Sequence, residues 1–231
     1  MTENKELQTK EESSSLKGSV LWGMLLFGIL LFIDQITKFM ADAWLQPGDK
    51  IDIIPEWLSL CITYNRGISY GMGDNAPTAL KIAVILGTAA LMTLLAVFYF
   101  KADKRRSFLR LALVFVVAGG VGNLIDRVYY RVWDPTTLYG VRDMVDLSRF
   151  GFAVCNFADF FITGGAVMLV LALLFFDKDA AFPIGKKYKA LAKEAEEENK
   201  KKEKAKAKAK RQKQLEKEEK KAAKKDETDN G

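Results

Sequence analysis

Residues 108–128 read FLRLALVFVVAGGVGNLIDRV, an apolar run that ends in a short polar stretch. About 20 apolar residues suffice for a helix to cross a bilayer, so this segment predicts a membrane span. Gly119, Asn123, Asp126 and Arg127 follow one another at helical spacing near its end. The span therefore carries a polar face at one membrane level, and its small residues permit close helix packing.

Three further apolar runs are long enough to span a bilayer, at residues 20–39, 80–100 and 157–176. The sequence thus predicts a mainly α membrane protein with four transmembrane helices. The link between the second and third spans holds Lys101, Lys104, Arg105 and Arg106. Since basic residues collect on the cytoplasmic side, this link and both termini are expected there, and the two longer loops outside.

The chain divides into three parts by composition. Residues 1–17 form a cytoplasmic N-terminal segment, residues 18–177 a four-helix membrane domain, and residues 178–231 a tail rich in Lys, Glu and Ala. Residues 186–225 hold 18 Lys or Arg and 8 Glu, whereas the whole chain has a net charge of +6. The basic balance therefore belongs to the tail, which lacks the apolar residues for a core and is expected to be helical or disordered.

Three roles are open for this tail. Its basic residues could be attracted to anionic membrane lipid, or it could be a charged extension with no specific partner. RNA binding is the weaker interpretation, because no aromatic residues are interleaved for base stacking. We therefore expect no specific nucleic-acid partner.

The first outer loop has the pattern of β-structure. Residues 57–64 alternate, with Leu58, Leu60, Ile62 and Tyr64 on one face, and residues 51–54 form a short strand before Pro55. Strand backbone cannot face lipid without leaving amides unpaired. A small extracytoplasmic sheet, a β-cradle on the outer membrane surface, is therefore predicted from this loop.

The chain contains no histidine. This excludes Ser–His–Asp and Cys–His triads and His-ligated zinc, so any acid–base chemistry must use carboxylates. Carboxylates beside or within membrane spans are costly and suggest a functional site. Such acids lie at four positions: Asp34, Asp126, Asp146 and Asp159.

Each polar motif has a plain structural interpretation when taken alone. Asp34 and Lys38 can form an interfacial ion pair, and residues 65–71 a hairpin turn. Asp126 can pair with Arg127, and Asp159 can be a charge at a helix N-terminus. Together, however, the motifs place two carboxylates, two Asn and one Arg at a single membrane level. Two close carboxylates that share a proton can activate water against an amide without histidine.

Five motifs in order carry a family resemblance. They are Asp34-Gln-x-x-Lys38, Asn65-x-Gly67 with Gly71, Gly119-Gly-x-Gly-Asn-x-x-Asp-Arg127, Val145-Asp146 and Asn156-x-Ala-Asp159. On these motifs residues 31–176 resemble lipoprotein signal peptidase (signal peptidase II), a family of four-span membrane aspartyl proteases. Residues 130–141 look like an insertion relative to that family.

The resemblance implies an enzyme that removes the signal peptide from lipid-modified prolipoproteins, just before the diacylglyceryl cysteine. It also implies a multi-pass protein of the bacterial inner membrane with its active site at the outer face, working as a monomer with no cofactor or metal. The family's catalytic dyad matches Asp146 and Asp159. Substrate-binding and oxyanion positions match Asn65, Gly67, Asn123, Arg127 and Asn156, and supporting polar positions match Asp34, Lys38 and Asp126.

An alternative from another class is a small membrane transporter or proton relay, which also uses intramembrane carboxylates. Such sites usually lie at the midplane on broken helices, often within inverted repeats. In this sequence no two spans look like repeats, and the carboxylates cluster at one end of the spans.

Overall fold

Four long apolar helices dominate the structure, a computed structural model that describes residues 2–67, 76–103 and 105–229. They are α1 (Thr2–Trp44), α2 (Thr78–Lys101), α3 (Ser107–Tyr129) and α4 (Phe157–Leu174). Each is long and apolar enough to cross a membrane; in α1 the candidate span is Val20–Trp44. The four predicted spans are therefore confirmed, with boundaries that differ by a few residues.

Some motif residues lie outside the described part of the chain. These are Gly71, which closes the Asn65 motif, and Lys104, one of the basic residues used to predict the orientation.

Helix α3 is the central helix of the membrane domain. In the most apolar 18-residue stretch of α3, 56% of the residues are buried, whereas the same measure is 11–17% in the other three helices. Its inner residues Leu113, Val114 and Ala118 form an apolar core together with Leu30 of α1 and Ala172 of α4. The helix that ends in the polar stretch is thus the one enclosed by its neighbours.

Close contact between α3 and α4 depends on Gly119. A Cβ atom at this position would lie 2.3 Å from the backbone carbonyl oxygen of Ala158, so any side chain would force the helices apart. The small residue brings the polar end of α3 against the first turn of α4.

A three-stranded antiparallel sheet joins the loop between α1 and α2 to the loop between α3 and α4. Its strands are β1 (Ile51–Ile54), β2 (Leu58–Asn65) and β3 (Val141–Asp146), in the order β1-β2-β3. The sequence predicts β2 from its alternation and β1 as a short strand before Pro55. It does not predict β3, so the sheet draws on the second loop as well as the first. Buried Ile62 and Met144 pack with Ala41 and thereby seat the sheet on the end of α1.

The pairing of β2 with β3 fixes which residues of the second loop meet the first. Asn65 lies opposite Val141, Thr63 opposite Asp143 and Ser59 opposite Asp146. Asn65 is therefore placed near the start of β3.

The chain divides into two compact units, residues 1–172 and residues 173–231. The second unit contains the tail, which forms one helix, α5 (Gly185–Asp229). Of the two states expected for the tail, the structure has the helix, with i,i+4 ion pairs such as Lys200 with Glu196 at 2.6 Å. The predicted boundaries at residues 17 and 177 stay predictions.

Gly119→Ala is expected to destabilise the membrane domain, because the added methyl group meets backbone rather than a movable side chain. A loss of ~1 kcal/mol lowers Tm by roughly 2–4 °C in a chain of this size. Gly164→Ala on α4 is the matched control, since its Cβ would have nothing within 4 Å. Thermal unfolding in detergent measures both; an unchanged Tm for Gly119→Ala would contradict the close α3–α4 contact.

Candidate active site

A cavity of about 580 Å³ lies where the end of α3, the start of α4 and the strands β2 and β3 meet. Five charged or amide residues line it: Asn65, Asn123, Arg127, Asp143 and Asp159. Four of these were predicted as site residues, and Asp143 was not.

Asn156 connects the two carboxylates of this cavity. Its Nδ2 donates to Asp143 Oδ1 at 2.6 Å, and its backbone N–H donates to Asp159 Oδ2 at 3.1 Å. Its Oδ1 in turn accepts the backbone N–H of Asp159 at 3.2 Å, which caps the first turn of α4. One fully buried side chain thus fixes an acid on a strand and an acid on a helix relative to each other.

Asn123 of α3 holds the other side of Asp159. Its Nδ2 donates to Asp159 Oδ1 at 2.8 Å, while its Oδ1 accepts from Lys38 Nζ at 2.9 Å and from Asn156 Nδ2 at 3.1 Å. An ammonium group can only donate hydrogen bonds, so Lys38 fixes the orientation of the Asn123 amide. The amide nitrogen must then face the Asp159 carboxylate.

Behind this amide lies a buried group of charges. Lys38 Nζ lies 2.9 Å from Asp34 Oδ2 and 3.6 Å from Asp126 Oδ2, and all three side chains are fully buried. Asp34 Oδ1 also accepts the backbone N–H of Ala158 at 2.9 Å, which ties α1 to the start of α4. Gly122 makes room for this contact, since a Cβ there would lie 2.4 Å from Asp34 Oδ2. The three residues predicted to support the site therefore come together.

Arg127 links α3 to the turn that follows β2. Its guanidinium donates to the carbonyl of Asn123 at 3.2 Å and to the carbonyl of Gly67 at 3.4 Å. The backbone N–H of Gly67 donates to Asn65 Oδ1 at 2.9 Å, and Asn65 Nδ2 donates to the second oxygen of Asp143 at 3.3 Å. The predicted residues Asn65, Gly67 and Arg127 are thus connected by hydrogen bonds, and Asn65 and Arg127 line the cavity.

Asp146, predicted as the partner of Asp159, is placed elsewhere. Its carboxylate accepts from Lys50 Nζ at 2.8 Å and from the backbone N–H of Ser148 at 2.9 Å. These hydrogen bonds, of which the one from Lys50 is the larger cause, lower its pKa to about 2. Among the described residues that line the cavity, Asp143 is present and Asp146 is not.

The period of a β-strand explains this difference. Successive side chains of β3 point to opposite faces of the sheet, so residues three apart cannot share a face. Only one of Asp143 and Asp146 can face α4, and the bonds of Asp143 to Asn156 and Asn65 show which one does. If residues 141–146 had been predicted as a strand, the sequence alone would have shown that only one of Asp143 and Asp146 can face the site.

Asp143 is tuned to carry a proton near neutral pH. Burial and then the negative charge of Asp159 raise its pKa from 3.8 to about 7, although bonds from Asn156 and Asn65 and the charge of Lys38 lower it. A carboxyl group that is protonated beside one that is ionised supplies both an acid and a base. The cavity therefore has the groups required for hydrolysis without histidine.

Comparison with known proteins places this arrangement in a family. A family model described as Signal peptidase (SPase) II matches residues 26–175, a segment that contains every residue of the cavity. The chain belongs to the signal peptidase II family.

Relatives and solved structures agree with this assignment. Proteins named lipoprotein signal peptidase from three bacteria are similar to this chain. The one from Fusobacterium nucleatum is 34% identical over 148 residues, which is 63% of this chain and 82% of the relative. The one from Bifidobacterium longum subsp. infantis is 35% identical over 144 residues (62% and 72%), and that from Staphylococcus aureus 31% over 144 residues (61% and 80%).

Two solved structures described as bacterial membrane enzymes share the fold. Each has a TM-score of 0.55, with 27% and 26% identity. They match 66% of this chain and 87% and 92% of their own chains. The signal peptidase II chain is thus a multi-pass membrane peptidase of a bacterial family, and its tail lies outside the matched region.

Asp146→Asn is expected to keep peptidase activity within a few-fold of the parent. Its Lys50 partner is 55% exposed, and such ion pairs contribute only about 0–1 kcal/mol. Lys50→Met removes the same pair from the other side and is the matched control. Loss of cleavage in Asp146→Asn together with normal cleavage in Lys50→Met would assign the chemistry to Asp146 instead.

Asp143→Asn is expected to raise thermal stability more at pH 8 than at pH 5. Because the pKa of Asp143 rises from 3.8 to about 7 on folding, its contribution to stability is fully present below pH 3.8 and is lost as pH rises through 7. Asn cannot ionise and avoids that loss, which is only partly present at pH 5 and is complete at pH 8. Tm of variant and parent at the two pH values measures the difference.

Asp146→Asn serves as the control for this comparison. Its pKa of about 2 keeps the parent carboxylate ionised at both pH 5 and pH 8, so its Tm difference should not vary between them. A Tm difference for Asp143→Asn that is equally independent of pH would show that Asp143 is ionised throughout.

Proposed function

We propose that the chain removes signal peptides from lipid-modified prolipoproteins, as an aspartic endopeptidase whose catalytic pair is Asp143 and Asp159. The observation that carries the proposal is that Asn156 donates hydrogen bonds to both carboxylates, which line one cavity. Membership of the signal peptidase II family supports the substrate class, since the relatives are named lipoprotein signal peptidase. Asp143 replaces Asp146 in the pair deduced from the sequence.

The hydrogen bonds give the two carboxyls different roles. Asp159 accepts from Asn123 Nδ2 at one oxygen and from the backbone N–H of Asn156 at the other, an orientation that suits it as the general base. Asp143, with its pKa of about 7, holds the proton and suits the general acid.

In the proposed reaction Asp159 takes a proton from water as the water oxygen bonds to the scissile carbonyl carbon. Asp143 gives its proton to the carbonyl oxygen, which yields a neutral tetrahedral intermediate. Asp159 then passes the proton it received to the leaving nitrogen as the C–N bond breaks. Asp143 recovers a proton when the carbonyl re-forms, so the pair returns to one shared proton.

Arg127 and the Asn65–Gly67 turn suit the binding of a peptide backbone in this reaction. The planar guanidinium offers several donors in a fixed geometry and is always charged. Its place on the cavity wall, beside the carboxylates, fits the polarisation of a substrate carbonyl. Asn65 supplies a side-chain amide on the same wall. Asn156, predicted to bind substrate, has a buried side chain that bonds to both acids, so we assign it to holding them in place.

The apolar part of the cavity fits a lipid-bearing substrate. Val84 of α2 and Phe160 and Ile162 of α4 form its lining beside the carboxylates. A signal peptide is apolar, and a diacylglyceryl cysteine adds two acyl chains, so both require apolar surface next to the cleaved bond. This supports cleavage just before the modified cysteine.

The charge distribution supports a location in the bacterial inner membrane with the cavity at the outer face. Lys101 ends α2, and Arg105 and Arg106 lie between α2 and α3, at the helix ends opposite the cavity. These basic residues predict that end and both termini to be cytoplasmic.

A transporter or proton relay is the less suitable alternative. Transporter sites lie near the bilayer midplane on interrupted helices. Here Asp159 lies in the first turn of α4 and Asn123 in the last two turns of α3, and both helices are continuous. The carboxylates therefore sit at the end of the spans, where a water molecule can reach them.

Asp143→Asn and Asp159→Asn should each abolish cleavage of a lipid-modified prolipoprotein by the purified, reconstituted enzyme. Each change removes one acid–base role, which costs at least about 10²-fold in rate. The double variant should be scarcely slower than either single one, since the two act as a unit. Asp146→Asn, with the same substitution on the same strand, is the matched control.

Two results would contradict the proposal. Near-normal cleavage by a correctly inserted Asp143→Asn or Asp159→Asn would exclude the aspartic pair. Equal cleavage of the unmodified precursor would show that the enzyme does not require the lipid modification and would contradict the proposed specificity.

A further inference from the structure

Arg142 is a buried cation that sequence analysis did not select. It lies in β3 next to Asp143 and is only 8% exposed. Its guanidinium donates to both oxygens of Asp126, from Nη2 to Oδ1 at 2.8 Å and from Nε to Oδ2 at 3.3 Å. Its backbone N–H also donates to Asp126 Oδ2, at 3.0 Å. Three bonds thus fasten the backbone just before Asp143 to the end of α3.

The guanidinium plane is held from two further directions. Its Nη2 lies 3.4 Å from Gln35 Oε1 on α1, and its centre lies 5.5 Å from the centroid of the Tyr130 ring. That ring stacks on Tyr139 at 5.5 Å, and its hydroxyl donates to Asp42 at 3.3 Å. The segment at residues 130–141 therefore forms one side of the pocket in which Arg142 is held.

Arg142 completes a buried ion cluster, which we define as Asp34, Lys38, Asp126 and Arg142. The cluster has two negative and two positive charges, and each member is at most 8% exposed. Asp126 lies close to both cations, at 2.8 Å from Arg142 and 3.6 Å from Lys38. Without Arg142, Asp126 would keep its ion pair with Lys38, and the cluster would carry an uncompensated negative charge.

Without Arg142, Asp126 would attract Lys38 more strongly, and this change would affect the catalytic pair. Lys38 donates to Asn123 Oδ1 at 2.9 Å, and this bond directs Asn123 Nδ2 to Asp159. If Lys38 turns toward Asp126, the Asn123 amide loses the cation that orients it. Arg142 is thus coupled to Asp143 through the strand and to Asp159 through Asp126, Lys38 and Asn123.

We propose that Arg142 is a positioning residue that sets the geometry of both carboxylates without contacting substrate. The inference rests on the proposed function, since the geometry matters only if Asp143 and Asp159 perform the chemistry. It names a residue outside the motifs that carry the family resemblance. Its side chain faces α1 and α3, on the side of β3 opposite to Asp143.

Arg142→Leu should lower kcat for prolipoprotein cleavage by about 10- to 100-fold, the scale of a misplaced catalytic group, and leave KM within about three-fold. Arg142→Lys keeps the cluster neutral but loses the forked contact with Asp126, so its kcat should lie between those of Arg142→Leu and the parent. Arg149→Leu is the matched control, because Arg149 is 67% exposed and lies 4.0 Å from Glu56. It should keep the parental kcat.

A double variant tests the route through Asp126. Arg142→Leu combined with Asp126→Asn restores the neutrality of the cluster, so its kcat should be no lower than that of Arg142→Leu alone. A multiplicative loss in the double variant would overturn the coupling. A raised KM with unchanged kcat in Arg142→Leu would place Arg142 in substrate binding and overturn the positioning role. Equal kcat values in Arg142→Lys and Arg142→Leu would also overturn that role, because the forked contact would then make no difference.

Tm and membrane insertion are measured for each variant, and kcat is compared per folded molecule. If Arg142→Leu does not fold, Arg142→Lys carries the test, and full parental kcat in that variant would refute the need for the fork. Failure of the inference differs from failure of the proposed function. Activity in Asp143→Asn refutes the catalytic pair itself, whereas an inactive Asp143→Asn with a fully active Arg142→Leu refutes only the positioning role.

Discussion

The buried ammonium of Lys38 is the interaction on which the rest of the site depends. It bonds to Asp34 on its own helix and to Asn123 on α3, and it lies close to Asp126. Taking a cation out of water is expensive unless nearby anions compensate it with good geometry. Each of these partners therefore has to stay in place for Lys38 to remain buried, and each also touches a different part of the site. Asp34 meets the start of α4, Asp126 meets β3, and Asn123 meets Asp159.

The glycines of α3 allow this dense polar packing inside an otherwise apolar domain. Contacts between helices in lipid gain little from the hydrophobic effect and depend on close approach and on hydrogen bonds. A side chain at Gly122 would collide with the Asp34 carboxylate, and one at Gly119 with the backbone of α4. Both positions lie in the polar end of the helix, so the same short stretch supplies the hydrogen-bonding groups and the space around them.

Much of the fold could be predicted from sequence because its main elements follow from local rules. Span length and hydropathy predict the four helices, and alternation in residues 57–64 predicts β2. The polar residues of α1, α3 and α4 could also be grouped, since their helices place them at one membrane level. Strand β3 was beyond these rules. The sequence Val141-Arg-Asp-Met-Val-Asp146 does not alternate because both of its faces are buried: Arg142 is compensated by Asp126, and Asp143 by two Asn side chains. Compensation by residues distant in sequence leaves no local pattern. The prediction of Asp146 therefore rests on its match to a family motif, whereas the structure has Asp143 in the cavity.

The pairing of β2 with β3 also has a consequence for the biogenesis of the enzyme. The two strands come from different loops, and two membrane helices, α2 and α3, lie between them in the chain. Contacts between distant segments form late, because the intervening chain must first be ordered. Asp159 and its bridging Asn156 come later still, at the start of the last span. A chain that is still being inserted therefore holds Asp143 and Asp159 apart. If these two acids are the catalytic pair, as proposed above, the ability to cut a peptide bond arises only when the fourth helix has joined the other three.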